Sequence, residues 1–229
     1  MELMIIFLLM LIIPIYASIK VNLSYKKYVK IDNEKKLTGF DVARRILDEN
    51  NLGEIYVVET KGTMSDHYDP GRKTVRLSTD VYHGTSISSL AIAAHECGHA
   101  IQYKEGYVPI KIRNMLVPFV NFGSSLGYYV IIASLVFSSF KHLFIVGLIM
   151  VSLALIFQLV TLPVEFDASR RANKILLEMG IVSEGEHDGT KAMLKAAAFT
   201  YVAGLVSAIA STIFQILRLI YIFGGRDND

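Results

Sequence analysis

One cysteine, Cys97, is present in 229 residues, so no internal disulfide can form and nothing points to an oxidising compartment. The formal net charge is only +2, which carries no signature of nucleic-acid binding, and no nucleic-acid partner is expected. No internal repeat or low-complexity stretch is visible, which leaves solenoid and array architectures unsupported. The most informative scarcity is local, because charge is missing from three long stretches. Between Arg113 and Lys141 lie 27 uncharged residues, His142 to Val164 adds 23 without a formal charge, and 22 more separate Lys195 from Arg218. Each is long enough for a helix that crosses a bilayer, which needs about 20 apolar residues. With 52% hydrophobic residues, a chain this short could not wrap three such segments in polar structure.

The N-terminal run from Leu3 to Ile19 is shorter and contains Pro14. Tyr16-Ala17-Ser18 offers the small-residue end of a signal peptide, but Glu2 stands where a basic n-region belongs. The positive flank follows the apolar run instead of preceding it, which favours a retained anchor. Four spans are therefore expected: an anchor over 1–19, two helices within 114–164 beginning with Leu116 to Phe140, and a last helix over 195–223, followed by a tail at 224–229. Of the 23 Lys and Arg residues, 15 lie from Lys20 to Arg113, and Arg170, Arg171, Lys174, Lys191 and Lys195 add five; only Lys141, Arg218 and Arg226 remain for the other face. The positive-inside rule predicts a multi-pass protein of the cell membrane with segments 20–113 and 165–194 in the cytoplasm.

The polar segment reads as a small α/β unit. Thr38 and Asp41 form a capping-box-like pair ahead of Phe40, Ala43, Ile46 and Leu47 at helical spacing, and Asn50 to Gly53 stops that helix. Ile55 to Glu59 is β-branched, Lys73 to Ser78 alternates, and Asp69-Pro70-Gly71 between them has turn chemistry, so a two- or three-stranded sheet is predicted. His67 and Tyr68 flank the expected turn as surface residues. The Val75 to Ser78 strand, placed at the edge of a cleft, would pair with an extended substrate.

Ser86, Ser88 and Ser89 offer N-caps for a helix that runs to about Tyr103, and inside it stands His95-Glu96-Cys97-Gly98-His99. Histidines four apart share one helical face, so both imidazoles can reach one zinc ion. Glu96, beside the first of them, is placed to act as general base on the attacking water without being a ligand. Two histidines and a glutamate on an otherwise apolar helix would be costly to bury without a partner.

A catalytic zinc takes a third protein ligand and keeps an open position. Gln102 and Glu105 stand where a metzincin pattern needs Gly and His, so the third ligand comes from elsewhere. Glu165 is the foremost candidate, directly after the span ending Leu162-Pro163-Val164 and opening a new helix through Ala168, Arg171, Ala172, Ile175 and Leu176. Asp167 is its rival, with Glu178, Glu184, Glu186, His187 and Asp188 more distant. No oxyanion donor is assigned among Tyr201, His187, His83 and Arg170.

The order of an N-terminal span, a small domain, HECGHAIQY, two spans, LPVEFDASRRA and a final span resembles the neutral zinc metallopeptidases of prokaryotic membranes, related in design to the heat-shock membrane protease and the CAAX prenyl protease. The resemblance covers nearly the whole chain. It implies that His95, His99 and Glu165 ligate zinc and that Glu96 is the general base. Relatives often carry an acid four residues after the ligand glutamate; here that position is Ser169, and Ser169 or Asp167 would have to orient a histidine instead. The expected fold is a mostly helical membrane protein with a zincin-like core, a small β-sheet and about four transmembrane helices. The expected activity is zinc-dependent hydrolysis of a peptide or protein substrate at the cytoplasmic membrane face. Two other readings compete: a non-catalytic scaffold with a structural zinc, and an intramembrane protease of the site-2 type. The latter would need an intramembrane aspartate, and the spans contain none.

Overall fold

The computed structural model describes residues 2–137 and 142–224 and is mostly helical, with one small sheet. Phe140, Lys141 and Arg226, used above to bound spans and judge orientation, lie outside the described residues, as does the tail from 225 onward. The chain forms two compact units. One comprises residues 1–17, 109–163 and 200–229, the other residues 18–108 and 164–199.

The apolar unit is built from stretches of α1 (Glu2–Tyr28), α5 (Val108–Val136), α6 (Leu143–Glu178) and α7 (Glu184–Gly224). Among the described residues, three helices are long and apolar enough to cross a membrane, over Val108–Ser134, Leu143–Glu178 and Glu184–Arg218. Their most apolar windows are only 19%, 17% and 22% buried, so these side chains face outward, an arrangement suited to lipid and not to water. Close helix packing falls at small residues: a Cβ on Gly127 would meet the Gly147 carbonyl at 3.1 Å, and one on Gly147 would meet the Gly127 carbonyl at 2.9 Å. Tyr128 and Ser211 join α5 to α7 through their hydroxyls at 3.2 Å.

The sequence led us to expect a fresh helix at Glu165. Instead α6 runs unbroken through Pro163 to Glu178, and α7 likewise carries Lys195 within a single helix that starts at Glu184. Proline removes one backbone hydrogen bond, a loss that long apolar helices tolerate, so the end of the apolar stretch is not a helix end.

The polar unit packs α2 (Gly39–Glu49), a sheet of β1 (Tyr56–Thr60), β2 (His67–Asp69) and β3 (Thr74–Ser78), the short α3 (Thr79–Tyr82) and α4 (Ile87–Lys104) with the polar ends of α6 and α7. Thr38 caps α2 in a reciprocal box: its hydroxyl accepts from the Asp41 amide at 3.1 Å, and its own amide donates to the Asp41 carboxylate at 2.9 Å. Val42, Ala43, Ile46 and Leu47 on one face of α2 are completely buried against a core that includes Leu77, Leu90, Ala94, Cys97, Ala172 and Leu176. Asn33, itself buried, ties the segment before α2 to the start of α4 by donating to the Leu37 and Thr85 carbonyls.

The sheet order is β1-β3-β2, with β1 and β3 parallel and β2 antiparallel to β3. One expectation is thereby refined and one corrected. His67 and Tyr68 do flank the turn, but as a third strand paired to Arg76 and Val75 across it; His67 is exposed, whereas Tyr68 is partly buried with its ring 6.0 Å from that of Tyr103. The Val75 to Ser78 strand is central, flanked by β1 along its whole length and by β2 up to Arg76, so it is not the sheet edge at which a substrate strand was expected to pair. In keeping with a central strand, Thr74, Val75, Leu77 and Ser78 are all buried.

Removal of the α2 cap should register as a modest, purely structural loss. Thr38→Ala is expected to cost about 1 kcal/mol, seen as a lower unfolding midpoint in detergent while metal content stays that of the parent protein.

Candidate metal centre

Helix α4 owes its position to its composition: Leu90, Ala91, Ala93, Ala94, Cys97 and Ala100 bury it on several sides, and small residues let neighbours approach. Ser86 caps its start by accepting from the Ser89 amide at 3.1 Å. His95, His99 and Gln102 follow one another along the face turned to α6, while Cys97 points the other way and its thiol donates to the Ala43 carbonyl at 3.6 Å. Cys97 is a packing residue; burial pushes its thiol pKa up.

The approach of α4 to α6 depends on Gly98. A Cβ built there would lie 2.8 Å from the Ala168 carbonyl oxygen and 3.3 Å from its Cα, both backbone atoms that cannot swing aside. On α6, Val164, Ala168, Ala172 and Leu176 are completely buried at helical spacing, which turns Glu165 and Ser169 toward the two histidines.

The Glu165 carboxylate sits between the imidazoles. Its Oε2 lies 3.2 Å from His95 Nε2 and 3.5 Å from His99 Nε2, and the two rings stand nearly perpendicular with centroids 4.7 Å apart. Candidate ligand atoms of all three residues fall within 4.8 Å of one another, and among the described residues no other group of His, Cys, Asp and Glu does so. Glu165 is 1% exposed and His99 7%, whereas His95 is only partly buried, so the cluster is closed on one side and reachable on the other. Burial would push the His99 imidazole pKa down, but the Glu165 carboxylate outweighs it and holds it above the ordinary histidine value. Burial raises the Glu96 carboxyl, against the pull of His95 and His99.

Each imidazole is oriented through its other nitrogen. Ser169 Oγ lies 3.2 Å from His95 Nδ1, so the serine takes the place expected for an acid. The His99 partner is Gln102, whose Oε1 is 3.0 Å from Nδ1. The Gln102 amide nitrogen donates to the Val164 carbonyl at 2.8 Å and to Asp167 Oδ2 at 2.9 Å, which fixes the amide orientation and leaves its oxygen facing His99. His99 must then carry its proton on Nδ1, which directs the Nε2 lone pair to the cluster when that nitrogen is unprotonated. Asp167 is held by Arg170 and by Arg171 Nε at 2.6 Å, and Arg171 reaches Glu105 at 2.7 Å.

Of the sequence candidates, His95, His99 and Glu165 come together, with Glu96 beside them. Asp167 belongs to the support of His99 and not to the cluster. Glu178 pairs with Lys174 at 3.7 Å, and Glu186 accepts from the amides of Glu34 and Ser183. Glu184, His187 and Asp188 are not in the cluster either. His83 is paired with Glu59 at 3.4 Å and Arg170 with Asp167. Sequence reasoning missed Gln102 and Gly98. Gln102 was legible only as a residue three after His99 on the same face, and Gly98 only as the small residue inside the motif.

Comparison with known proteins agrees with the resemblance drawn from the two motif blocks. A Bacillus subtilis (strain 168) protein named "Putative membrane protease YugP" is 42% identical over 215 residues, covering 93% of each chain. No solved structure matches. A family model described as "Putative neutral zinc metallopeptidase" matches residues 3–224, and the chain belongs to that family.

Proposed function

We propose that the protein is a zinc-dependent integral membrane endopeptidase in which His95, His99 and Glu165 hold the metal and Glu96 is the general base. The observation that carries this reading is the spacing of the three donors. Ligand atoms about 2.0–2.1 Å from a tetrahedral zinc stand about 3.4 Å apart, and Glu165 Oε2 is 3.2 and 3.5 Å from the two Nε2 atoms. Donor chemistry fits as well, since two imidazoles and one carboxylate are a set typical of catalytic zinc and leave a position open. Zinc, when bound, supplies Lewis acidity that activates water and polarises a scissile carbonyl.

The chain's own residues do the rest. Gln102 and Ser169 keep the two rings aimed at the cluster, and Asp167, clamped by two arginines, keeps Gln102 from turning. Glu96 takes a proton from the attacking water and hands it to the leaving amine, and its burial favours the proton acceptance this needs. A scaffold with a purely structural metal has no use for such a base beside its ligand. The site-2 reading loses support because a glutamate, not an aspartate, stands with the histidines, and α4 is not among the helices apolar and long enough to span.

The same reading makes the protein a multi-pass resident of the cell membrane with α1 as its first anchor and a cytoplasmic active site acting on peptide or protein substrates. Support for the anchor is that α1 continues unbroken through Ala17-Ser18 to Tyr28, with Val21, Tyr25 and Tyr28 packed on the core of the polar unit. Support for the orientation is the concentration of Lys and Arg in the segments that form that unit.

Glu96→Gln should retain one zinc per chain, measured by elemental analysis of detergent-purified protein, while cleavage of an unfolded protein substrate falls by about 10²–10⁴-fold; cleavage undiminished by this change would refute the assignment. Gln102→Ala frees the His99 ring and should weaken zinc affinity by about 10–100-fold in a chelator competition. Gly98→Ala, which forces α4 off the α6 backbone, should weaken it at least as much. For orientation, Lys61→Cys should resist a membrane-impermeant maleimide in intact cells and react after permeabilisation; the native thiol is fully buried and adds little background.

A further inference from the structure

A second cleft lies within the polar unit, between the polar end of α6 and the start of α7, with a volume of about 660 Å³. Its lining has two characters. Phe166, Leu177 and Leu194 make an apolar floor, and the first two are 48% and 40% exposed. Around them stand Arg170, Lys174, Lys191 and Lys195 with one acid, Glu178. Lys174 is matched by Glu178 and Arg170 by Asp167, but Lys191 and Lys195 have no ion-pair partner among the described residues. Asn173 also lines the cleft, and its buried Oδ1 has no hydrogen-bond donor among the described residues.

Depth along the helices says what such a cleft meets. The apolar stretch of α6 ends at Val164 and that of α7 begins at Ala196. At 1.5 Å per residue, Lys195, Lys191 and Arg170 stand about 2, 8 and 9 Å beyond those points, within or near the interfacial layer of about 5–8 Å on each side of the hydrocarbon. Two uncompensated ammonium groups at that level, over exposed apolar side chains, match a phosphate joined to an acyl chain. The unpartnered Asn173 oxygen suits a hydroxyl donor on the same headgroup.

We propose that this cleft is a binding site for an anionic phospholipid with a hydroxylated headgroup, its phosphate on Lys191 and Lys195 and the upper part of its acyl chain on Phe166. The inference rests on α6 and α7 crossing a bilayer and needs no bound metal, although Ser169, which orients His95, also lines the cleft. It differs from general attraction to a charged surface in requiring these two lysines and not merely their charge.

The test uses the full chain in nanodiscs of phosphatidylcholine doped with fluorescent phosphatidylglycerol, with transfer to the protein read by quenching. Incorporation into pure phosphatidylcholine discs checks the bilayer reading separately. Each lysine near the surface should contribute about fivefold, so Lys191→Glu/Lys195→Glu is expected to weaken phosphatidylglycerol association by twentyfold or more. A control of equal charge change, Lys61→Glu/Lys73→Glu, should leave it within twofold. Lys191→Gln/Lys195→Gln, judged by an unchanged unfolding midpoint, serves if the reversal does not fold. Equal losses in cleft and control variants, or none in either, would overturn the site. Displacement of the lipid by equimolar glycerol phosphate would make a soluble phosphate the occupant, and displacement by an acidic peptide would make the cleft a substrate subsite; either result would overturn the lipid assignment.

Discussion

Everything at the centre depends on two helix backbones being allowed to touch. Gly98 lets α4 settle on the Ala168 carbonyl, and only at that separation can a carboxylate on α6 stand within 3.2 and 3.5 Å of two imidazoles on α4. A side chain at residue 98 would part the helices by more than a ligand set tolerates, since metal–ligand distances vary by only about 0.2 Å. The residue between two ligands is thus under as tight a steric demand as the ligands are under a chemical one.

That closeness creates an electrostatic difficulty, because Glu165 is almost wholly removed from solvent and an unpaired buried carboxylate costs several kcal/mol. The solution is a chain of satisfied groups. Glu165 faces the imidazoles, the imidazoles turn their other nitrogens to Ser169 and Gln102, Gln102 spends both amide hydrogens on Val164 and Asp167, and Asp167 is neutralised by Arg170 and Arg171. The chain ends at Glu105 on the surface, where charge is cheap. Removing any inner member leaves its neighbour buried and unmatched, which makes the network a positional device as well as a stabilising one.

The sequence revealed the parts of this arrangement that depend on local periodicity. His95 and His99 one turn apart, the capped helix that carries them, the capping box of α2 and the uncharged stretches all follow from spacing within one element. What periodicity does not encode is contact between elements. Glu165 was ranked above Asp167 by its place directly after the span and by resemblance, because two acids two residues apart on a helix look alike until the face turned to α4 is known. Gln102 read as a failed ligand position when it is the residue that sets the tautomer of His99. The sheet order was not legible for the same reason: a parallel β1-β3 pair with β2 on the far edge leaves the alternation of β3 unchanged. Ser169 was anticipated as a stand-in for a missing acid, and its hydroxyl does lie against His95 Nδ1.

The block from Leu162 to Ala172 gathers these demands on one helix. Pro163 falls where the apolar stretch closes, Val164 lends its carbonyl to Gln102, Glu165 faces the histidines, and Asp167 and Ser169 serve opposite rings. Ala168 meets Gly98, and Ala172 continues the buried stripe. Phe166 and Arg170 line the basic cleft, whose wall Ser169 shares. Because α6 does not break at Pro163, one helix carries both Glu165 and an apolar stretch long enough to cross a bilayer.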